Sequence, residues 1–387
     1  MDLRNLPDGL DALGRVEERR KRIEKETGRD LSSVRASRDA IGHADEKNCE
    51  QMFGMVPVPV GYAGPLSMTF SSGENTTVHL PLCTTEGALV ASVNRGCKAT
   101  SVAVVRVSSI HHGISRSIAW HAGKHEQDFA KELQKSSKDW MAIAEATSNH
   151  LKVLRFDIDA AAGYVFLTLS CDTDEAMGMN MITIAAQAVG EWCAAHLIEG
   201  HARLITIAAN IDSDKKPSLR TYERGRGYEV TAETFLPNDV IETVLKSSGD
   251  SMLEVAKAKL EIGSELAGAM GRNLHAANII AALYLATGQD PAHVVEGSLT
   301  DTYIEAADEG LHIIVRLPAI IVGVRGGGTP LPAQSQCLQL LLSTKTKLHA
   351  KTQLAETIGA AVLAGEISLL AAQASQQLAK SHKKLGR

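Results

Sequence analysis

The chain has 387 residues, of which 44% are hydrophobic, so it exceeds one small core and is expected to fold as two or more packed units. A net charge of −5 gives no reason to expect nucleic acid or an anionic membrane as a partner. Aromatic residues make up only 4%, which points to helices closely packed through small side chains. The six cysteines (Cys49, Cys83, Cys97, Cys171, Cys193 and Cys337) show neither a CxxC pair nor zinc-ligand spacing, and read as free thiols of a reducing cytosol. We find no apolar run of about twenty residues and no secretory leader pattern, so a cytoplasmic protein is expected.

In chain order, residues 1–45 form a polar N-terminal arm, whose EERRKRIEKETGR reads as a solvated helix ended by Gly28. MVPVPVGYAGPL (55–66) cannot be helix and is expected to be an extended segment with a tight turn. A stretch of different texture follows. It reads as strand near 116–120, helix 124–146, strands 151–159 and 163–171, helix 177–199 and strand 203–209. That βαββαβ order is ferredoxin-like and suggests a small inserted domain. Beyond the loop NIDSDKKPS the second half reads as largely helical, with a buried helix in HAANIIAALYLATG that stops at Gly288. A short strand then enters the glycine loop of IIVGVRGGGTP, and a last helix covers about 351–380.

Several segments carry side chains suited to chemistry. In TTEGALVASVNRGCKA (84–99), Glu86 precedes an apolar helical run; it is a capping acid or a functional carboxylate with about even odds. Asn94, Arg95 and Lys98 in the same stretch offer donors for an anion. Asp214-Lys215-Lys216 is on its own most simply solvated surface, yet it lies at a junction where a cleft is expected. Asp290 follows the C-terminal end of a helix, so its pKa should rise unless a cation compensates, and a partly protonated acid would suit proton transfer. The alternative is an aspartate that merely starts a turn before Pro291. Three glycines in GVRGGGTP admit a pyrophosphate, although the pattern alone is weak, and a lone His382 near the terminus is weaker still.

Together, TTEGALVASVNRGCKA, DEAMGMNMI (174–182), DKKP (214–217), HAANIIAALYLATGQD (275–290) and GGGTPLPAQSQCL (326–338) stand in the order found in hydroxymethylglutaryl-CoA reductases. PVPVGYAGPL before them and SHKK after them also fit, so the resemblance spans roughly residues 46–385. The resemblance implies an α+β fold, in which a large, mainly helical substrate domain (46–116 and 208–387) is interrupted by a small ferredoxin-like coenzyme domain (117–207). It also implies a C-terminal flap over 381–387.

The reaction so implied is the two-step reduction of a thioester to an alcohol and free CoA. Glu86, Lys215, Asp290 and His382 match the family's catalytic positions. Arg116, Asp214, Lys216, Lys259, His275 and Asn278 match its substrate pocket, and Asn94, Arg95 and Lys98 its CoA side. Ser148, Asn149, Met177, Gly178, Met179, Asn180, Arg325, Gly326, Gly327 and Gly328 match its coenzyme site. MGMNM resembles the NADPH-using class, with NADH the alternative, and no metal is implied. The family works as homodimers with shared sites, so Lys215 is expected to face Glu86 and Asp290 of a neighbouring subunit.

This chain departs from the family at Ala208, Glu175, Asn149 and Arg325, and the match at Arg116 needs a gap. Asn149 stands where a basic residue would meet a 2′-phosphate. Arg325 replaces an apolar residue and is placed to meet a phosphate itself.

Overall fold

The computed structural model describes residues 2–197 and 202–375 of the chain. The N-terminal helix α1 (Ala12–Thr27) forms as expected, with Asp11 accepting the Gly14 N–H at its start and Gly28 closing it in the left-handed region. Strand β1 (Val60–Thr69) pairs antiparallel with β2 (Asn75–Cys83). Where the sequence suggested a tight turn at GYAGPL, the strand instead continues through a register shift between Ala63 and Leu66. Pro65, lacking an N–H, cannot keep the ladder there, and a bulge absorbs the gap.

Helix α2 (Leu89–Thr100) leads to the long strand β3 (Val105–His121). The segment expected as one helix over 124–146 is two, α3 (Glu126–Lys135) and α4 (Ser137–Glu145), jointed at Ser136. Strands β4 (Lys152–Ala161) and β5 (Tyr164–Asp172), helix α5 (Met179–His196) and strand β6 (Arg203–Thr206) follow. In space these strands run β6-β3-β5-β4, all antiparallel. Trp120, Phe129 and Trp140 are fully buried between this sheet and its helices, in a core of their own.

The second half is less helical than its composition suggested. It contributes β7 (Gly227–Pro237), helix α6 (Gly249–Ala256), helix α7 (Ala276–Thr287), β8 (Asp301–Ala307) and β9 (Gly310–Ile320). Helix α8 (Pro332–Gln339) and helix α9 (Ala350–Ala374) complete the described chain. The alternating burial of β7 and β9 is the two-residue period of strands, with Glu229, Thr231 and Glu233 of β7 and His312 and Arg316 of β9 on the less buried face. The larger sheet runs β2-β1-β3-β7-β9-β8, with β1 and β3 parallel, so the fold is α+β with a mixed sheet. Strand β3 serves both sheets, pairing with β7 over Arg106–Gly113 and with β5 over Ile114–His121.

Among the described residues one helix, α9, is long and apolar enough to cross a membrane, although Lys351, Glu356 and Glu366 interrupt it. Of its most apolar window, 94% is buried inside the protein, so it is a core helix. It meets α2 so closely at Gly96 that a Cβ there would collide with the Ala364 carbonyl. Gly96→Val should therefore destabilise the protein by about 2 kcal/mol or more, because the obstacle is backbone. Chemical denaturation checks this, and an unchanged midpoint would show that the two helices can part.

Candidate active site

Glu86 stands in the turn between β2 and α2, its N–H bonded to Thr84 Oγ1 at 2.9 Å. No side chain caps α2, and Ala88 at its start takes φ 75°, so Glu86 is not the capping acid. It lines a cavity of about 400 Å³ with Arg95, His275, Asn278, Leu369 and Gln373. Helix α7 presents His275 and Asn278 because the buried Glu366 accepts the Leu274 and His275 N–H groups, both at 2.8 Å. His275 Nε2 donates to the Gly365 carbonyl at 2.9 Å. Arg95 bonds Ser368 through Nε at 3.0 Å and its carbonyl at 2.6 Å.

A second cavity, of about 650 Å³, is lined by Met177–Met181, Gly288–Pro291 and Arg325–Thr329. Lys215 Nζ lies 2.7 Å from Asp290 Oδ2 on its rim. Asp290 Oδ1 accepts the Ala292 N–H at 3.0 Å, capping the short turn Pro291–His293. Burial raises the Asp290 carboxyl, but Lys215, the Ala292 N–H and His293 together outweigh it and hold it below the usual range. The compensating cation that the sequence reading set as its condition is thus present, and the carboxylate, which also caps a helical turn, is held ionised.

The backbone of this second cavity fits a dinucleotide. Gly326 and Gly327 both have positive φ, and the space where a Cβ would stand is open, leaving room for a diphosphate to touch peptide N–H groups. Helix α5 is preceded by Gly178, also at positive φ, and no side chain caps its start, where Met177–Met181 line the same space. Arg325 reaches Glu175 at 3.5 Å while remaining largely exposed.

Behind Lys215 lies a buried ionic layer. Arg226, 2% exposed, donates to Glu296 at 2.9 Å, Asp214 at 3.1 Å and Ser115 Oγ at 2.9 Å. Glu296 in turn accepts the Lys215 backbone N–H at 2.6 Å, fixing a residue whose φ is 59°. Arg116 lies 3.5 Å from Asp212 and 3.8 Å from Asp214. Burial pushes the Asp212 carboxyl up against the pull of both arginines. Asp214, His293 and Glu296 are grouped closely enough to hold a metal, but Arg226 already supplies the cation to both carboxylates.

The remaining predicted residues scatter. Arg116 and Asp214 belong to the ionic layer, while Lys216 Nζ bonds the Asp214 carbonyl at 2.9 Å. Asn94 accepts the Gly64 N–H, and Lys98 and Lys259 are exposed and line neither cavity. Ser148 and Asn149 stand in the turn before β4, outside the glycine-lined cavity. Neighbouring His150 pairs with Asp174 at 2.8 Å. His382 lies outside the described residues.

Asp290 pairs with Lys215 of its own chain, which corrects the expectation that it would come from a neighbour, whereas Glu86 lines the other cavity. Sequence reasoning missed Arg226, His293, Glu296 and Lys351. The three-residue spacing of Asp290, His293 and Glu296 was the available signal for two of them.

The family model of hydroxymethylglutaryl-coenzyme A reductase matches residues 15–387. The 3-hydroxy-3-methylglutaryl-coenzyme A reductase of Methanothermobacter thermautotrophicus is 38% identical over 376 residues, covering 95% of this chain and 92% of the relative. That of Haloferax volcanii is 38% identical over 401 residues, covering 100% and 96%. A class II 3-hydroxy-3-methylglutaryl-CoA reductase from Streptococcus pneumoniae, solved with NADPH in open conformations, has a TM-score of 0.68 at 18% identity. That match covers 92% of this chain and 96% of the other, and shows a shared fold.

Because the Asp290 carboxyl is depressed in the folded protein, its stabilising effect is present above the ordinary value of 3.8 and is lost as pH falls through the folded value. Both partners are partly exposed, so Asp290→Asn should cost no more than about 1 kcal/mol near neutrality. That difference from wild type should close as pH falls past 3.8 and through the lower folded value. Urea unfolding across that range measures it, and a difference independent of pH would mean the ion pair is not its origin.

Proposed function

The chain belongs to the hydroxymethylglutaryl-coenzyme A reductase family, and on that premise we propose how its two cavities divide the reduction of the thioester to mevalonate and free CoA. NADPH supplies the hydride for each of two reductions. The observation that carries the reading is the Lys215–Asp290 pair standing at the edge of a glycine-lined cavity that fits a dinucleotide. Met177–Asn180 and Arg325–Gly328 would hold the coenzyme there. Glu86, His275, Asn278 and Arg95 would hold the acyl-CoA from the other cavity.

Negative charge develops on the carbonyl oxygen in the first reduction, and the Lys215 ammonium is the donor suited to stabilise it. Asp290 keeps that ammonium oriented. His382 would protonate the departing CoA thiolate from a C-terminal flap (381–387), since an imidazole titrates near neutrality. Glu86 would then protonate the aldehyde oxygen in the second reduction.

We read residues 117–207 as the coenzyme-binding module, 46–116 and 208–387 as the substrate body, and 1–45 as an arm. The separate aromatic core and the β6-β3-β5-β4 order support that division. The free cysteines support a cytoplasmic setting.

Within one chain Glu86 lines one cavity while Asp290, which holds Lys215, lines the other, and this favours a homodimer whose sites combine Glu86 of one protomer with Lys215 and Asp290 of the other. Val56, Val60 and Tyr62 lie exposed beside the end of β2 that carries Glu86, as a covered face would.

Two hydride transfers at one carbon require two NADPH oxidised for each CoA thiol released. Parallel absorbance and thiol assays measure the ratio, and a value near one with accumulating aldehyde would refute the full reduction. The shared site is tested by complementation. Glu86→Gln and Lys215→Met should each be inactive, yet a mixed dimer would carry both lesions in one site and neither in the other. Random mixing should restore roughly a quarter of wild-type activity. A properly assembled but inactive mixed dimer would place each site within one chain.

A further inference from the structure

Behind the Lys215–Asp290 pair stands a histidine to which the reaction just described gives no role. His293 is fully buried, with Nδ1 3.3 Å from Glu296 Oε1 and Nε2 3.8 Å from Asp290 Oδ2. At that distance Nε2 has no hydrogen-bond partner. A buried ring nitrogen left so costs about 1–3 kcal/mol, and such a group calls for an explanation.

The charged groups around the ring all belong to one cluster. Glu296 and Asp290 flank it along its own segment, Asp214 and Lys215 come from the loop after β6, and Arg226 immediately precedes β7. The Tyr284 phenol of α7, pushed up by burial, stays neutral beside them. Arg226 and the Lys215 N–H already satisfy Glu296 Oε1, which anchors the Nδ1 side of the ring. The open side faces Asp290, and Asp290 is the carboxylate that holds Lys215 Nζ at 2.7 Å.

We infer that His293 is a positioning residue for the reduction: with Nδ1 anchored on Glu296, its Nε2 closes on Asp290 and fixes the carboxylate that aims the Lys215 ammonium. This rests on the reductase reading above. His293 lines neither cavity, so it acts through Asp290 on the reacting step and not on substrate binding. Because both faces meet carboxylates, the ring serves this role with both N–H groups donating, as an imidazolium, and its charge helps to keep Asp290 ionised. Without it the Lys215–Asp290 pair should be lost at higher pH, moving the acid limb of activity upward.

The test compares steady-state kinetics and pH profiles of the full chain as wild type, His293→Leu and His293→Gln, with melting curves to establish folding. His293→Leu should lower kcat about tenfold or more while KM for the thioester stays within about twofold, and its acid limb should rise. His293→Gln, which keeps a donor of similar reach but no titrating ring, should recover most of kcat and leave the limb raised. Equal loss in both variants, or kcat and KM failing together with an unmoved limb, would overturn the inference while wild-type turnover keeps the reductase reading. Absence of wild-type turnover would sink that reading and this inference with it. Should the leucine variant not fold, the glutamine variant decides alone: near-normal kcat with a raised limb supports the role, and an unmoved limb overturns it.

Discussion

Helix α9 is buried on every side, and its charged side chains must therefore find partners inside the protein. Each does so on a different element. Glu356 accepts from the Ser71 N–H at 3.0 Å and Ser109 Oγ at 2.7 Å, tying down β1 and β3. Glu366 accepts the N–H groups at the start of α7 and the Thr302 hydroxyl at 2.8 Å. Lys351, its ammonium pushed down by burial against the pull of Asp172, reaches Asp172 and Thr173 at 3.5 Å and the Ala176 carbonyl at 3.3 Å. Unpaired, any of these would cost several kcal/mol, so the helix cannot be buried without fixing all three neighbours.

Two of those neighbours wall the cavities. Glu366 sets the end of α7 that presents His275 and Asn278, while Ser368 and Gly365 hold Arg95 and the His275 ring. Lys351 sits under the turn before Met177, so the seat proposed for the coenzyme rests on the same helix. Burial also leaves His111, pushed down to about 4 by desolvation and by Lys351, neutral near physiological pH. It adds no further positive charge beneath that seat.

The legible parts of the sequence were those whose cause is local. Helix α7 is apolar all round and ends at a left-handed Gly288, and both features could be read directly. So could the βαββαβ order. What stayed hidden depended on partners far along the chain. Asp290 looked like an acid at the wrong end of a helix, and only Lys215 and the turn it caps make it a firm carboxylate. Strands β7 and β9 do alternate, with Glu229, Thr231 and Glu233 set against the buried Val230, Ala232 and Leu236, but their flanks of helical composition drew the reading toward helix. The charges of α9 gave no hint of function because each is answered by a different distant segment.

Arg226 ties the larger sheet to the smaller one. It immediately precedes β7 of the larger sheet, yet it reaches the Ser115 carbonyl at 3.2 Å, where β3 has passed to the smaller one, and Met179 Sδ at 3.3 Å at the start of α5. The same guanidinium holds Asp214 and Glu296, the latter gripping the Lys215 backbone. The seat at Met177–Asn180 and the ammonium of Lys215 are thus referred to one buried cation. An apolar contact between the bodies would tolerate sliding at little cost. Pulling a buried guanidinium from two carboxylates leaves unpaired charge in a dry interior, and that penalty resists small displacements as well as large ones. For the two hydride transfers proposed above, a charge lock shared by both sheets would keep the proposed seat and the ammonium in register more stiffly than packing can.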